Sequence, residues 1–292
     1  MPELPEVEHV VRALRRVVIG RRIVAAEVTL PKLIAPTTPS AFKRKLKGST
    51  ITGVSRRGKF ILIELDKNAL PYGRAIAPTR TSDRVLAVHL RMTGKFLYLS
   101  ADDEVPRHAR AIFYFDNDQR LVFSDQRKFG VMKLVAGSQV STTKGISELA
   151  PEPFSDDFNL GYLKDTLARS RRTLKTLLLD QTRVLGLGNI YAAEALFRAG
   201  INPFKVASEL STKRVARLHA EILGVLRDAM SDSSTSRIDL ERPDGFTYGE
   251  AFERFWQVYK REGEPCLRCG ARIRRIVHGA RSTYWCPRCQ RR

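Results

Sequence analysis

The sequence predicts a multidomain α+β protein, and three observations carry that prediction. Short β-branched and aromatic segments dominate from about residue 22 to 135. Apolar residues recur at helical spacing from about 154 to 230. All four cysteines lie in the last 27 residues. At 292 residues the chain has room for two or three domains and a sizeable core.

The chain opens "MPELPEVE", and "PEVEHVVRALRRVVIG" predicts a helix. Pro5 suits a first helical turn, because the N–H it lacks would be unsatisfied there. Val7, Val10, Val11, Leu14 and Val18 form one apolar stripe, and Gly20 ends it. Glu6 and Glu8 complement the positive end of the helix dipole. Pro2 and Glu3 precede the helix and have no such explanation.

Strands follow in "RRIVAAEVTL", "GKFILIELD", "RVLAVHLRM", "RAIFYFD" and "RLVFSD", with a hairpin turn at "DNDQ". Residues 67–83 form a long Pro/Gly-bearing loop. Helices are predicted in "DDFNLGYLKDTLARS", "RTLKTLLLD", "NIYAAEALFRAG" and "TKRVARLHAEILGVLRDAM". Asn189 is the expected N-cap of the third, and Gly200 its stop. "QTRVLGLGN", between the second and third, is a turn that fits either plain helix packing or DNA binding. The predicted boundaries are an N-terminal strand-rich domain at 1–135, a linker at 136–153, a helical domain at 154–235, a connecting segment at 236–259 and a cysteine module at 260–292.

The charge predicts a polyanionic partner. Lys and Arg number 51 against 31 Asp and Glu, a formal net charge of +20. Nucleic acid and an anionic membrane surface both satisfy that excess. No apolar run approaches the roughly 20 residues that span a bilayer. The acidic N-terminus lacks the basic start of a signal peptide. The expectation is a soluble, cytoplasmic or nucleoid-associated protein without a membrane partner.

Cys266, Cys269, Cys286 and Cys289 form C-x2-C-x16-C-x2-C, a zinc-ligand spacing. Four thiolates close a tetrahedron and leave no open position, so the expected ion is one structural Zn2+. Ten Lys/Arg against two Glu between Lys260 and Arg292 exceed what folding such a module needs, and point at phosphates.

At the other end, an initiator Met before a small residue is normally removed, which would expose the secondary amine of Pro2. An α-amino group titrates at about 7.7–8.0, so a useful fraction is unprotonated near neutrality. Such amines attack electrophilic carbons and form Schiff bases. Glu3 would lie beside the amine, placed to transfer protons.

"MPELPEVE", "GKF", "DQRKFG", "LGLGNIYAAEALFRAGINP" and "GARSTYWCPRCQ" together resemble the bacterial formamidopyrimidine-DNA glycosylase and endonuclease VIII family, in order and over the full chain. The resemblance implies an N-terminal β-sandwich with flanking helices, a helix–two-turn–helix domain and a C-terminal β-hairpin zinc finger, with DNA in a cleft. It implies a monomeric glycosylase/lyase of base excision repair acting on damaged double-stranded DNA. A damaged base is flipped out, the Pro2 nitrogen attacks C1′ of its sugar, and β,δ-elimination nicks the strand on both sides. Glu3 is then the main acid/base, and Glu6 a supporting acid.

Other positions follow from the same resemblance. Lys59 matches a lysine at the phosphates flanking the lesion, against the plainer reading of an exposed strand-end lysine. Asn189 matches a phosphate-binding asparagine and Arg281 the zinc-finger arginine at the lesion phosphate. His89 is a further phosphate contact or a packed strand histidine. Met92, Arg127 and Phe129 match the trio that fills the gap left by the flipped base, with Phe129 as wedge and Arg127 facing the orphaned base.

Two departures from the family pattern stand out: residues 234–252, where the segment closing over a flipped purine is altered, and the long 67–83 loop. "GARST" and "DQRKFG" favour oxidised purines as substrates over the oxidised pyrimidines of endonuclease VIII. A catalytically silent DNA-binding paralogue would lack Pro2 or Glu3. An RNA-binding zinc-ribbon protein would explain the charge but not the N-terminus.

Overall fold

The computed structural model describes residues 2–69, 82–231, 238–241 and 256–291. Most of the predicted 67–83 loop and most of the 234–252 segment lie outside these. The chain forms two compact units. The first comprises Met1–Pro2, Glu6–Ser147 and Ser236–Tyr248; the second comprises Glu3–Pro5, Glu148–Thr235 and Gly249–Arg292. The segment read as a linker, 136–153, is therefore shared between the units at Ser147/Glu148.

The first unit holds two antiparallel four-stranded sheets. One has the order β1 (Ile23–Val28), β6 (Ala109–Phe115), β7 (Gln119–Ser124), β5 (Lys95–Ser100). The other has the order β2 (Thr50–Arg57), β3 (Phe60–Asp66), β4 (Arg84–His89), β8 (Val131–Ala136). One core joins their facing sides: Ile61, Leu86, Val88 and Met132 from one sheet meet Phe96, Phe113 and Phe123 from the other. Phe96 and Phe123 are fully buried and meet edge to face at 5.3 Å. Truncating either to alanine should cost about 3–5 kcal/mol.

Helix α1 (Leu4–Val18) lays its valine and leucine stripe into that core, as its spacing predicted. Glu8 does more than answer a dipole: it accepts from Arg12 (3.2 Å) and from Arg56 on β2 (2.8 Å). Burial pushes its carboxyl up, but the two guanidiniums outweigh that and hold it below the usual range. The short helix α2 (Pro39–Leu46) was not read from the sequence, although Thr38 caps it and Pro39 starts it.

The second unit contains α3 (Leu160–Ala168), α4 (Leu174–Leu178), α5 (Asn189–Arg198) and α6 (Thr212–Met230), close to the predicted helices. Asn159 caps α3 through Tyr162 N–H at 2.9 Å. Leu163, Leu177, Leu196, Leu218 and Ile222 are among the residues of its core. The hairpin β9 (Arg274–His278) and β10 (Arg281–Trp285) ends the unit, with Arg281 directly opposite His278. No helix among the described residues is long and apolar enough to cross a membrane.

Candidate active site and nucleic-acid interface

In the first unit, Pro2 and Glu6 are both buried. Lys59 sits at the β2–β3 hairpin, where Gly58 has positive φ, and its side chain is only 5% exposed. It is not the exposed strand-end lysine of the plainer reading. His89 pairs with Phe60 across β3 and β4, its ring edge-on to Phe60 at 4.8 Å. Its Nδ1 accepts the Arg91 N–H at 3.0 Å, so the neutral ring carries its proton on Nε2. Burial lowers its pKa to about 3, aided by Arg91 and Lys59. The stability this gives is complete above the unfolded pKa of about 6.5 and is lost as pH falls toward 3.

Met92, Arg127 and Phe129 come together. Met92 and Phe129 are 41% and 48% exposed, so neither belongs to the core. The Arg127 guanidinium donates to Met92 Sδ at 3.0 Å and lies 4.9 Å from the centre of the Phe129 ring. Thirty-five residues separate Met92 from Arg127, and only the fold makes them neighbours.

In the second unit the N-terminus of α5 is the organising feature. Asn189 is its first helical residue, while Gly188 takes the N-cap position. This corrects the expectation that Asn189 caps the helix. The capping side chain is Glu3, from the far end of the sequence. Its carboxylate accepts N–H groups of Gly188 (2.6 Å), Ile190 (2.9 Å) and Tyr191 (3.2 Å). These three hydrogen bonds fix the carboxylate at the start of the helix. The approach explains Gly188: a Cβ there would lie 2.3 Å from Glu3 Cδ.

The Asn189 side chain donates to the Ser282 carbonyl at 2.9 Å, next to the exposed Arg281. On the other side of Arg281, its cross-strand partner His278 shares a 2.8 Å hydrogen bond with Thr173. The hairpin that carries Arg281 is thus tied to the helices at two points.

Two residues escaped the sequence reading. Lys175 on α4 is 1% exposed and donates to the Asn189 carbonyl at 2.9 Å. Burial lowers its pKa to about 8, against the pull of Glu3 and Glu194 and with the push of Arg281. Glu194 on α5 accepts N–H groups of Gln257, Val258 and Tyr259 at 2.9–3.0 Å, bracing the segment that enters the cysteine module. Both look like ordinary helix-surface residues in sequence. A cavity of about 650 Å³ lies between α3, α4 and the following turn, with Arg169, Arg171, Arg172 and Arg183 in its lining.

The four cysteine sulfurs all lie within 4.8 Å of one another, with pairs at 3.5 and 3.9 Å. A tetrahedron of Zn–S bonds near 2.3 Å has edges of about 3.8 Å. Backbone N–H groups of Arg268 and Cys289 point at Cys266 Sγ and Cys286 Sγ, both at 3.4 Å, as thiolate ligands require.

Comparison with known proteins places these features in one family. Residues 1–132 match the formamidopyrimidine-DNA glycosylase N-terminal domain, residues 149–239 its H2TH domain, and residues 263–292 the zinc finger found in FPG and IleRS. The chain is 42% identical over 291 residues to formamidopyrimidine-DNA glycosylase of Pelotomaculum thermopropionicum, covering 100% of this chain and 99% of the relative. It is 40% identical over 291 residues to that of Bacillus subtilis, covering 99% of each. The Lactococcus lactis Fpg in complex with abasic-site DNA aligns with a TM-score of 0.86 at 34% identity over 100% of both chains. The same enzyme with FAPY-dG DNA gives 0.86 at 34%, covering 99% of this chain and 100% of the other. The zinc-finger match and the sulfur geometry fit one structural zinc ion. The two sheets, the Glu3-capped helix, the zinc module and the full-length matches lead to one conclusion: the chain belongs to the formamidopyrimidine-DNA glycosylase family.

Proposed function

We infer that the chain is a bifunctional DNA glycosylase and AP lyase of base excision repair that removes oxidised purines from duplex DNA. It acts as a monomer, in the cytoplasm at the nucleoid. The observation that carries this reading is the N-terminus: Pro2 is followed by a carboxylate held by three helix N–H groups, in a chain matched to the family end to end.

With Met1 removed, the lone pair of the Pro2 nitrogen attacks C1′ of the damaged nucleotide. The C1′–N glycosidic bond breaks, and the base leaves with its electron pair and takes up a proton. The sugar opens to an iminium on Pro2. Proton loss from C2′ expels the 3′ phosphate, a second elimination expels the 5′ phosphate, and water attacks the remaining iminium carbon, releasing the sugar fragment as an aldehyde and freeing the Pro2 amine. Glu3 moves the protons of these steps, with Glu6 supporting. Lys59, Asn189 and Arg281 hold the phosphates around the lesion. Met92, Arg127 and Phe129 fill the gap. The zinc ion supplies no chemistry, because four thiolates leave it no open position.

Duplexes carrying 8-oxoguanine, formamidopyrimidine or thymine glycol test the reading. Both purine lesions should be released faster than thymine glycol, leaving a gap with phosphate at both ends. Faster release of thymine glycol would favour the pyrimidine reading. Tight binding without release would favour a silent paralogue. The pyrimidine reading keeps some support from the Lactococcus lactis Fpg solved with oxidized-pyrimidine DNA, which is 34% identical to this chain.

The phosphate contacts differ in charge, and salt distinguishes them. Lys59→Ala and Arg281→Ala should each flatten the slope of log affinity against log salt by about one, equally for every lesion. His89→Ala should weaken binding but leave that slope unchanged, because the ring is neutral. Its NMR signals should not titrate between pH 8 and pH 5. A titration midpoint near 6.5, or a slope change equal to that of Lys59→Ala, would contradict the neutral assignment.

A further inference from the structure

Four exposed residues, 126–129, are slung between two buried anchors, Asp125 and Gly130. Asp125 is 1% exposed, and no step of the proposed chemistry uses it. Its Oδ2 accepts the Gly130 N–H at 2.7 Å, closing the loop across its base. Its Oδ1 accepts the Thr93 hydroxyl at 2.5 Å. That same hydroxyl oxygen accepts the Arg127 N–H at 3.0 Å. Thr93 follows Met92 directly. One carboxylate and one hydroxyl therefore join the loop that carries Arg127 and Phe129 to the turn that carries Met92.

The local backbone fits this arrangement. Arg91 and Lys128 both have positive φ, 57° and 59°, one in each of the two turns. Such a conformation is strained for a side-chain-bearing residue and persists only where surrounding contacts hold it. A Cβ on Gly130 would lie 2.7 Å from the Phe123 ring and 3.2 Å from Asp125 Oδ2, so the chain can close here only through glycine. A buried carboxylate is costly unless its acceptors are satisfied. Asp125 is satisfied almost wholly by groups of the two turns.

We propose that Asp125 and Thr93 are positioning residues that hold Met92, Arg127 and Phe129 in their inserting arrangement before DNA is bound. This rests on the reading of those three as the gap-filling trio. Extruding a base sacrifices stacking and pairing. A loop that first had to be ordered would add its own entropy to that cost, and a preformed loop does not. The clamp therefore acts on the step that opens a paired duplex, and is irrelevant once the base is already out of the stack.

The test compares one lesion, 8-oxoguanine, in a fully paired duplex and in an unpaired bulge. Thr93→Val keeps the shape and removes the hydroxyl, hence both of its hydrogen bonds. Its kcat/KM on the paired duplex should fall about tenfold, the scale of losing two hydrogen bonds, with little change on the bulge. Thr93→Ser should restore the paired activity. Amide exchange at Arg127 and Gly130 should speed up in Thr93→Val and return to normal in Thr93→Ser. Phe129→Ala should show the same dependence on pairing, and adding Thr93→Val to it should cost nothing further. Asp125→Asn should resemble Thr93→Val, and if it fails to fold, the threonine pair still decides.

If Phe129→Ala discriminates between the substrates but Thr93→Val does not, the clamp is wrong and the gap-filling reading stands. If Phe129→Ala loses equally on both while amide exchange still responds to Thr93→Val, the gap-filling reading is wrong and the clamp has no part in base extrusion. Unchanged exchange in Thr93→Val overturns the clamp outright.

Discussion

Protein that retains Met1, or whose terminal amine is chemically blocked, should form no adduct with DNA when borohydride is added during turnover, whereas the processed protein should be trapped through its first tryptic peptide. The expected loss is complete, because the proposed mechanism makes the amine itself the nucleophile. No other group at the N-terminus replaces it: the Glu3 carboxylate already accepts three N–H groups. Trapping should rise with pH through the range of an α-amino group, about 7.7–8.0, since only the unprotonated amine carries a lone pair. An adduct on a lysine, with a blocked terminus still active, would refute the assignment. Lys175 is an informative control, because its depressed pKa of about 8 lets this amine lose a proton near neutrality. It is 1% exposed and donates to a carbonyl, so the expected adduct at Lys175 is none.

Glu3→Gln separates proton transfer from nucleophilic attack. Base removal should slow by about 10²–10⁴, the usual contribution of a general acid or base. Cleavage of an abasic site, where base loss is already done, should suffer less. The substitution also turns an NH₂ group toward a helix N–H, leaving donor against donor at a cost of about 1–3 kcal/mol. A thermal melt of the variant measures that cost apart from the kinetics.

Much of the fold was legible because its signals are local. Alternation and β-branching gave β1, β3, β4, β6 and β7. β2 escaped because Gly53 and a register shift between Ile51 and Gly53 break its period. β5 was not read either, although it is buried in the same pattern as β4. The cysteine spacing sufficed for the metal site. The chemistry of Pro2 and Glu3 was readable from the residue types, but the rest of the site was legible only through resemblance, because its geometry is long-range. The group that caps α5 lies 185 residues before Gly188, so local reasoning gave the cap to Asn189. Thr93 and Asp125 are 32 residues apart, and neither residue type suggests a clamp alone. Lys175 sits in an unremarkable helical pattern, and nothing local says that it is buried.

Stripping the zinc should remove most of the DNA affinity while the first unit stays folded. The cysteine module is too short to hold itself together by apolar burial, since chains below about 40 residues usually need a metal or disulfides. Its buried cluster is small, with Ile273, Cys266 and Cys286 leaning on Val258, Ala193 and Phe197. Two of those six are the metal ligands. Structural zinc contributes about 10–16 kcal/mol in comparable isolated modules, far more than so few contacts can replace. Once the hairpin melts, Ser282 leaves Asn189 and His278 leaves Thr173, so Arg281 loses both of its anchors. The net +8 between Lys260 and Arg292 is then carried by an unfolded tail, and still attracts DNA, but without register. Chelation, or Cys286→Ser, should therefore weaken lesion-specific binding far more than binding to undamaged DNA. The fluorescence of Trp285, packed edge-on against Phe204 at 4.9 Å, should report the melting, and added zinc should reverse it in the wild-type protein. Lesion-specific affinity unchanged at zero bound zinc would mean that the module is not what places Arg281 on the phosphate.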